Sequence, residues 1–222
     1  MGRTTETNSL EVRWFGEGPT PRDLDEWIAG LGSVESASRT DLYLSPPTAS
    51  FNLKLRREGG EFVELKRRLG GPERRSFAPD VTGDVEQWYK WSFSLDHSPS
   101  LWTSERTGLW LPVRKARTLH ALDAADLPSS GASLSDEDVT AHVELTAVTA
   151  SSATAWTVGL EVAGRAEALA GAFAAVASEV FGEPFPVDLS AEQSVGYSEW
   201  LRRLAADSRA AAEVLVPSNR NE

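Results

Sequence analysis

The run FNLKLRREGGEFVELKRR, from Phe51 to Arg68, constrains this chain more than any other stretch. Two alternating segments flank Gly59 and Gly60, so it reads as a hairpin whose successive side chains point to opposite faces. Phe51, Leu53 and Leu55 share one face, and Asn52, Lys54 and Arg56 share the other. In the returning strand Glu64, Lys66 and Arg68 lie together, opposite Val63, Leu65 and Arg67. Lys54, Arg56, Lys66 and Arg68 therefore form one cationic surface with a single carboxylate, Glu64, set in it. Enclosed, such a surface binds phosphate; left open, it is the solvated side of an ordinary antiparallel sheet.

The surrounding chain is acidic, with a formal net charge of -11 over 222 residues. That balance disfavours a nucleic acid polymer or an anionic membrane as partner and leaves a local anionic small molecule as the expected ligand of the basic hairpin. There are no cysteines, which excludes disulfides and thiolate metal sites. The N-terminus lacks the apolar core of a signal peptide, and no run approaches the roughly 20 apolar residues of a membrane span. A cytoplasmic, soluble protein is expected. HExxH, nucleophile-elbow, Walker and Rossmann patterns are missing, and the three histidines read as ordinary surface or core residues.

Taken in order, residues 1–9 read as a flexible polar arm and LEVRWF, Leu10 to Phe15, as a strand. Thr20 to Leu31 has helical spacing of Leu24, Trp27, Ile28 and Leu31, with Thr20 as a cap and Pro21 in the first turn. RTDLYL, Arg39 to Leu44, is a short strand before the hairpin. Gly70 to Gly83 reads as an exposed loop. VEQWYKWSF, Val85 to Phe93, alternates again, and its aromatics are expected to serve as packing or sheet-edge cover. Further strands follow at Gly108 to Leu119, Ala141 to Val148 and Ala155 to Gly164, with an acidic loop expected at Ala121 to Asp138. Glu167 to Phe181 and Ser190 to Leu215 read as helices, and the last residues as a disordered tail. The expected class is α+β: an antiparallel eight-stranded β-barrel, or tunnel, with one early helix and C-terminal helices. A barrel hides its sheet edges by closing on itself. One domain spans residues 10–204, and 205–222 form a helix end and tail.

In this order the chain resembles the CYTH domain of the triphosphate tunnel metalloenzymes. The resemblance rests on SLEVR (Ser9, Glu11, Arg13), LKLR (Lys54, Arg56), ELK (Glu64, Lys66), VRKAR (Lys115, Arg117), VEL (Glu144), GLEVA (Glu161) and GYSEWL (Tyr197, Trp200). It implies a tunnel that binds a triphosphate-bearing small molecule. Arg13, Lys54, Arg56, Lys66, Arg68, Lys115 and Arg117 would hold phosphates, and Glu11, Glu144 and Glu161 would hold Mg²⁺ or Mn²⁺. Glu11, Glu64 and Lys66 would serve catalysis. The chain departs from the family pattern where Ser9 stands for the first glutamate of ExExK, Arg13 for its lysine, and Ala163 for the last glutamate of the late acidic pair. Hydrolysis of triphosphate or a nucleoside triphosphate is the expected activity. The alternatives are a phosphate- or nucleotide-binding protein that has lost the chemistry, and adenylyl cyclase-type activity.

Overall fold

The computed structural model describes residues 4–45, 47–56, 62–95, 109–122, 139–182 and 184–214. Its elements are β1 (Thr4–Glu17), α1 (Arg22–Gly30), β2 (Val34–Leu44), β3 (Phe51–Arg56), β4 (Phe62–Arg68), β5 (Glu73–Ala78) and β6 (Val81–Ser94), then β7 (Trp110–Leu122), β8 (Val139–Ala150), β9 (Ala153–Gly164), α2 (Ala166–Phe181) and α3 (Tyr197–Val214). The sheet runs β1-β9-β8-β7-β2-β3-β4-β6, and the pairing of β6 with β1 closes it into an eight-stranded antiparallel barrel. The ninth strand, β5, pairs only with the first residues of β6.

Closure depends on the length of β1. Its first half, Thr4 to Glu11, pairs with β6, and Asn8 to Glu17 pairs with β9. The polar arm expected at residues 1–9 is therefore strand from Thr4 onward. The β-branched Thr4, Thr5 and Thr7 suit a pleated surface, and Tyr89 of β6 donates its hydroxyl hydrogen to Glu6. The loop expected over Gly70 to Gly83 likewise contains β5 and the start of β6. Composition hid it: Phe77 packs 5.2 Å from Phe181 and 6.0 Å from Trp14, ring to ring, and Arg74 makes paired contacts with Asp84. Pro21 rather than Thr20 occupies the α1 N-cap, with no side-chain cap hydrogen bond. The Gly59-Gly60 turn, most of the acidic loop and the C-terminal tail lie outside the described residues. Among the described residues no helix is long and apolar enough to cross a membrane.

Two clusters of apolar side chains hold the barrel. Outside it, Val12 and Trp14 of β1, Val143 and Leu145 of β8 and Val158 and Leu160 of β9 are covered by α1 and α2. The helical faces match: Leu169, Ala172, Phe173, Val176 and Val180 recur every three or four residues along α2 and are all buried. Trp14 is wholly buried and donates from Nε1 to the Thr82 carbonyl at 2.9 Å. Its ring lies so close to Gly83 that a Cβ there would meet it at 2.5 Å. The second cluster lies at one end of the barrel, where Phe15, Tyr43, Val113, Val148 and Ala155 pack against Trp200 and Leu201 of α3. The Phe15 and Trp200 rings stack at 4.7 Å. These β-residues share the inward phase of their strands, so α3 stops that end and polar inward residues occupy the middle.

Candidate functional site: a charged cavity in the barrel

Strand phase decides what faces the interior. On β1, Val12 and Trp14 belong to the outer core, which turns Glu11 and Arg13 inward. The same alternation turns in Lys115 and Arg117 on β7, Lys54 and Arg56 on β3, Glu64 and Lys66 on β4, Glu144 on β8 and Glu161 on β9. All ten residues, each expected from sequence, converge on one cavity of about 150 Å³. Arg68 does not reach it; its guanidinium sits 2.5 Å from Glu86, which is also bonded by Trp88 Nε1. The sequence reading missed Arg39 and Tyr43 of β2, which also line the cavity, and Asp41 between them, which is fully buried. Trp88, Lys90 and Tyr197 complete much of the lining, so Trp88 does more than cover a sheet edge.

Eight lysines and arginines line the cavity against four glutamates. Going round the closed ring, β2 stands four strands from β1 and β3 four strands from β9, so the ribbon β1–β9 faces β2–β3 across the interior. The wall formed by β7, β2 and β3 carries Lys115, Arg117, Arg39, Lys54 and Arg56. The carboxylates near these cations are paired. Glu64 lies 2.6 Å from Lys54 and 3.5 Å from Arg56. Glu144 lies 3.0 Å from Arg13 and 3.5 Å from Arg117, and accepts from Thr146 at 3.0 Å. Burial pushes both carboxyls up, but their cations outweigh it and hold each at about 2.

The ribbon opposite is different. Glu11 and Glu161 are direct cross-strand neighbours in the β1–β9 ladder. Lys66 and the Ser9 hydroxyl both bond Glu11, the latter at 2.7 Å. Burial raises the Glu11 carboxyl, yet Lys66 first, and then Ser9 and Arg13, carry it below its usual range. Glu161 forms no ion pair within 4 Å among the described residues. The Glu11 charge, and after it burial, push the Glu161 carboxyl up. Ala163, where the resemblance wants a further glutamate, lies opposite Ser9 in the same ladder.

Among the described residues no cluster of three or more histidines, cysteines or acids is arranged to hold a metal ion. The Glu11/Glu161 pair still suits a hard divalent cation. Mg²⁺ is commonly held by one or two carboxylates, with waters and substrate phosphates completing its oxygen shell. A cation there also relieves the repulsion that raises the Glu161 carboxyl. Glu144 fits less well, because Arg13, Arg117 and Thr146 already occupy its oxygens.

No family model matches the chain, and no curated protein matches it. Among solved structures it is similar to the PH1819 protein from Pyrococcus horikoshii OT3, at 11% identity and a TM-score of 0.44, covering 90% of this chain and 99% of that one. It is similar too to the Mimivirus capping enzyme triphosphatase, at 11% identity and a TM-score of 0.41, over 79% of this chain and 90% of that one. An S. pombe RNA triphosphatase solved in complex with the Spt5 CTD gives 10% identity and a TM-score of 0.38, over 95% and 85%. At such scores and identities the likeness says nothing about chemistry; the cavity's own residues do.

Proposed function

We propose that the barrel binds a triphosphate-bearing small molecule in its interior and hydrolyses it with the help of a divalent cation. The observation that carries this reading is the facing arrangement of a five-cation wall on β7, β2 and β3 and the Glu11/Glu161 pair on β1 and β9. A polyphosphate needs several fixed cations on its oxygens, and arginine supplies two-pronged contacts where lysine supplies a point charge. Lys54, Arg56, Lys115 and Arg117, with Arg13 and Lys66, fill those roles. Glu11 and Glu161 would hold the cation, which supplies charge neutralisation on the phosphoryl oxygens.

The electrostatics also sort the carboxylates. Glu64, held at about 2, is too weak a base to take a proton from water near neutral pH. Its role is to fix Lys54 and Arg56. Lys66, bonded to Glu11, links the phosphate-holding cations to the carboxylate pair. Ser9 and Ala163 favour one competing reading, a binder without turnover, because each removes a carboxylate from the metal-holding side. Released phosphate from tripolyphosphate and ATP, assayed with Mg²⁺ or Mn²⁺, tests the proposal. Turnover that needs the metal and disappears in Glu161→Gln is expected. Tight binding without release in either metal would establish the binder instead, and no binding would remove both.

A further inference from the structure

Asp41 is a buried carboxylate of the basic wall that does not line the cavity. It lies in the middle of β2 with no exposed surface and stands behind the cavity lining. Arg39 Nε is 3.2 Å from its Oδ1, and Lys115 Nζ is 2.9 Å and Lys54 Nζ 3.9 Å from its Oδ2. The register explains the convergence. Val113 of β7 and Arg56 of β3 are the direct neighbours of Asp41, so Lys115 and Lys54 reach it diagonally from either side. Arg39 reaches it from two residues back along the same strand face.

Resting on the triphosphate reading above, we propose that Asp41 is a positioning residue: it holds Arg39, Lys54 and Lys115 converged on one stretch of the cavity before the ligand arrives. Three cations drawn together in a water-poor interior repel one another, and an isolated charge there carries a large desolvation penalty. One buried anion between them removes both problems without occupying cavity space. The resulting array is fixed in advance, so binding a polyanion requires little rearrangement.

Lys115 is the cation nearest this anion. Its ammonium lies 3.8 Å from the Tyr197 ring centre and donates to the Tyr43 hydroxyl at 2.9 Å. The charged or titratable groups around it are Asp41, Arg39 and Tyr43 on β2, Lys54 on β3, Glu144 on β8, Tyr197 on α3 and Arg117 on its own strand. Burial pulls the Lys115 ammonium below its usual range, while Tyr197 and Asp41 oppose that pull. Removing the Asp41 charge therefore favours loss of the Lys115 proton as pH rises.

The test is tripolyphosphate affinity without metal, measured by calorimetry from about pH 6 to about pH 9 for the wild type and Asp41→Asn. Ionisation of the ligand cancels in the ratio of the two affinities. The expected ratio worsens by about tenfold or more toward alkaline pH. Arginine keeps its proton throughout this range, so adding Lys115→Arg should flatten the ratio again. A ratio that is constant with pH, or one that the arginine does not rescue, overturns the positioning role while leaving the triphosphate reading intact. Failure of the wild type to bind tripolyphosphate at any pH overturns both. Should Asp41→Asn not fold, carbon-13 lysine spectra of the unaltered protein decide, with Lys115 assigned through Lys115→Arg. A Lys115 ammonium that is charged at neutral pH is expected, and a neutral Lys115 amine at neutral pH contradicts the claim.

Discussion

The wall made by β7, β2 and β3 and the β1–β9 ribbon facing it are built from the same side-chain types but stand in different states. Every carboxylate among the wall's cations is paired: Asp41 with Arg39, Lys54 and Lys115, Glu64 with Lys54 and Arg56, Glu144 with Arg13 and Arg117. On the ribbon, Glu11 has Lys66, while Glu161, whose direct cross-strand neighbours are Glu11 and His142, forms no ion pair within 4 Å among the described residues and has its carboxyl raised by the Glu11 charge first. The wall's carboxylates are all paired before any ligand binds, whereas on the proposed reading the ribbon would be completed by a cation.

The contrast is broken most forcefully from the wall side. Lys54→Met takes a cation from both Glu64 and Asp41, and removing one partner of a buried pair costs about 3–5 kcal/mol. Urea denaturation should show a loss of that size; a loss below about 1 kcal/mol would mean the wall is not held by its pairs. Acid titration sharpens the same point. The paired Glu64 and Glu144 carboxyls titrate at about 2 in the folded protein, against the ordinary 4.5. Their stabilising contribution is full above 4.5 and drains as pH falls toward about 2. The urea midpoint should drop across that window, and Glu144→Gln should make the drop shallower.

Glu161 has the opposite sign. Its folded carboxyl is raised, so its contribution is full below the ordinary 4.5 and is lost as pH rises through the folded value. Glu161→Gln should therefore be more stable than wild type at neutral pH, with Tm higher by about 2–4 °C, the shift that about 1 kcal/mol produces in a chain of this size. A lower Tm would place Glu161 in an unrecognised pair. Added Mg²⁺ should raise the Tm of the wild type more than that of Glu161→Gln.

Much of this cavity is legible in the chain because period-two alternation survives closure of the sheet. Lys54, Arg56, Glu64 and Lys66 share a face in a hairpin, and the barrel turns that face inward. Asp41 was legible in principle, since Arg39, Asp41 and Tyr43 are spaced by two in RTDLYL. Alternation alone does not say that β2 lies between β7 and β3, and only that placement brings two further cations onto Asp41. Arg68 failed for a related reason: it has the inward phase, but register puts Trp88 opposite it and Glu86 within reach. The early half of β1 escaped because Thr4 to Ser9 has no apolar alternation. It becomes strand through pairing with β6, a partner some eighty residues away.

The measurement that tests the central claim most directly is a crystal structure with tripolyphosphate and Mn²⁺, using anomalous scattering to place the metal. The account predicts an Mn²⁺ peak between Glu11 and Glu161, with phosphate oxygens against Arg39, Lys54 and Lys115. Metal bound elsewhere, or a polyphosphate left outside the barrel, would contradict it.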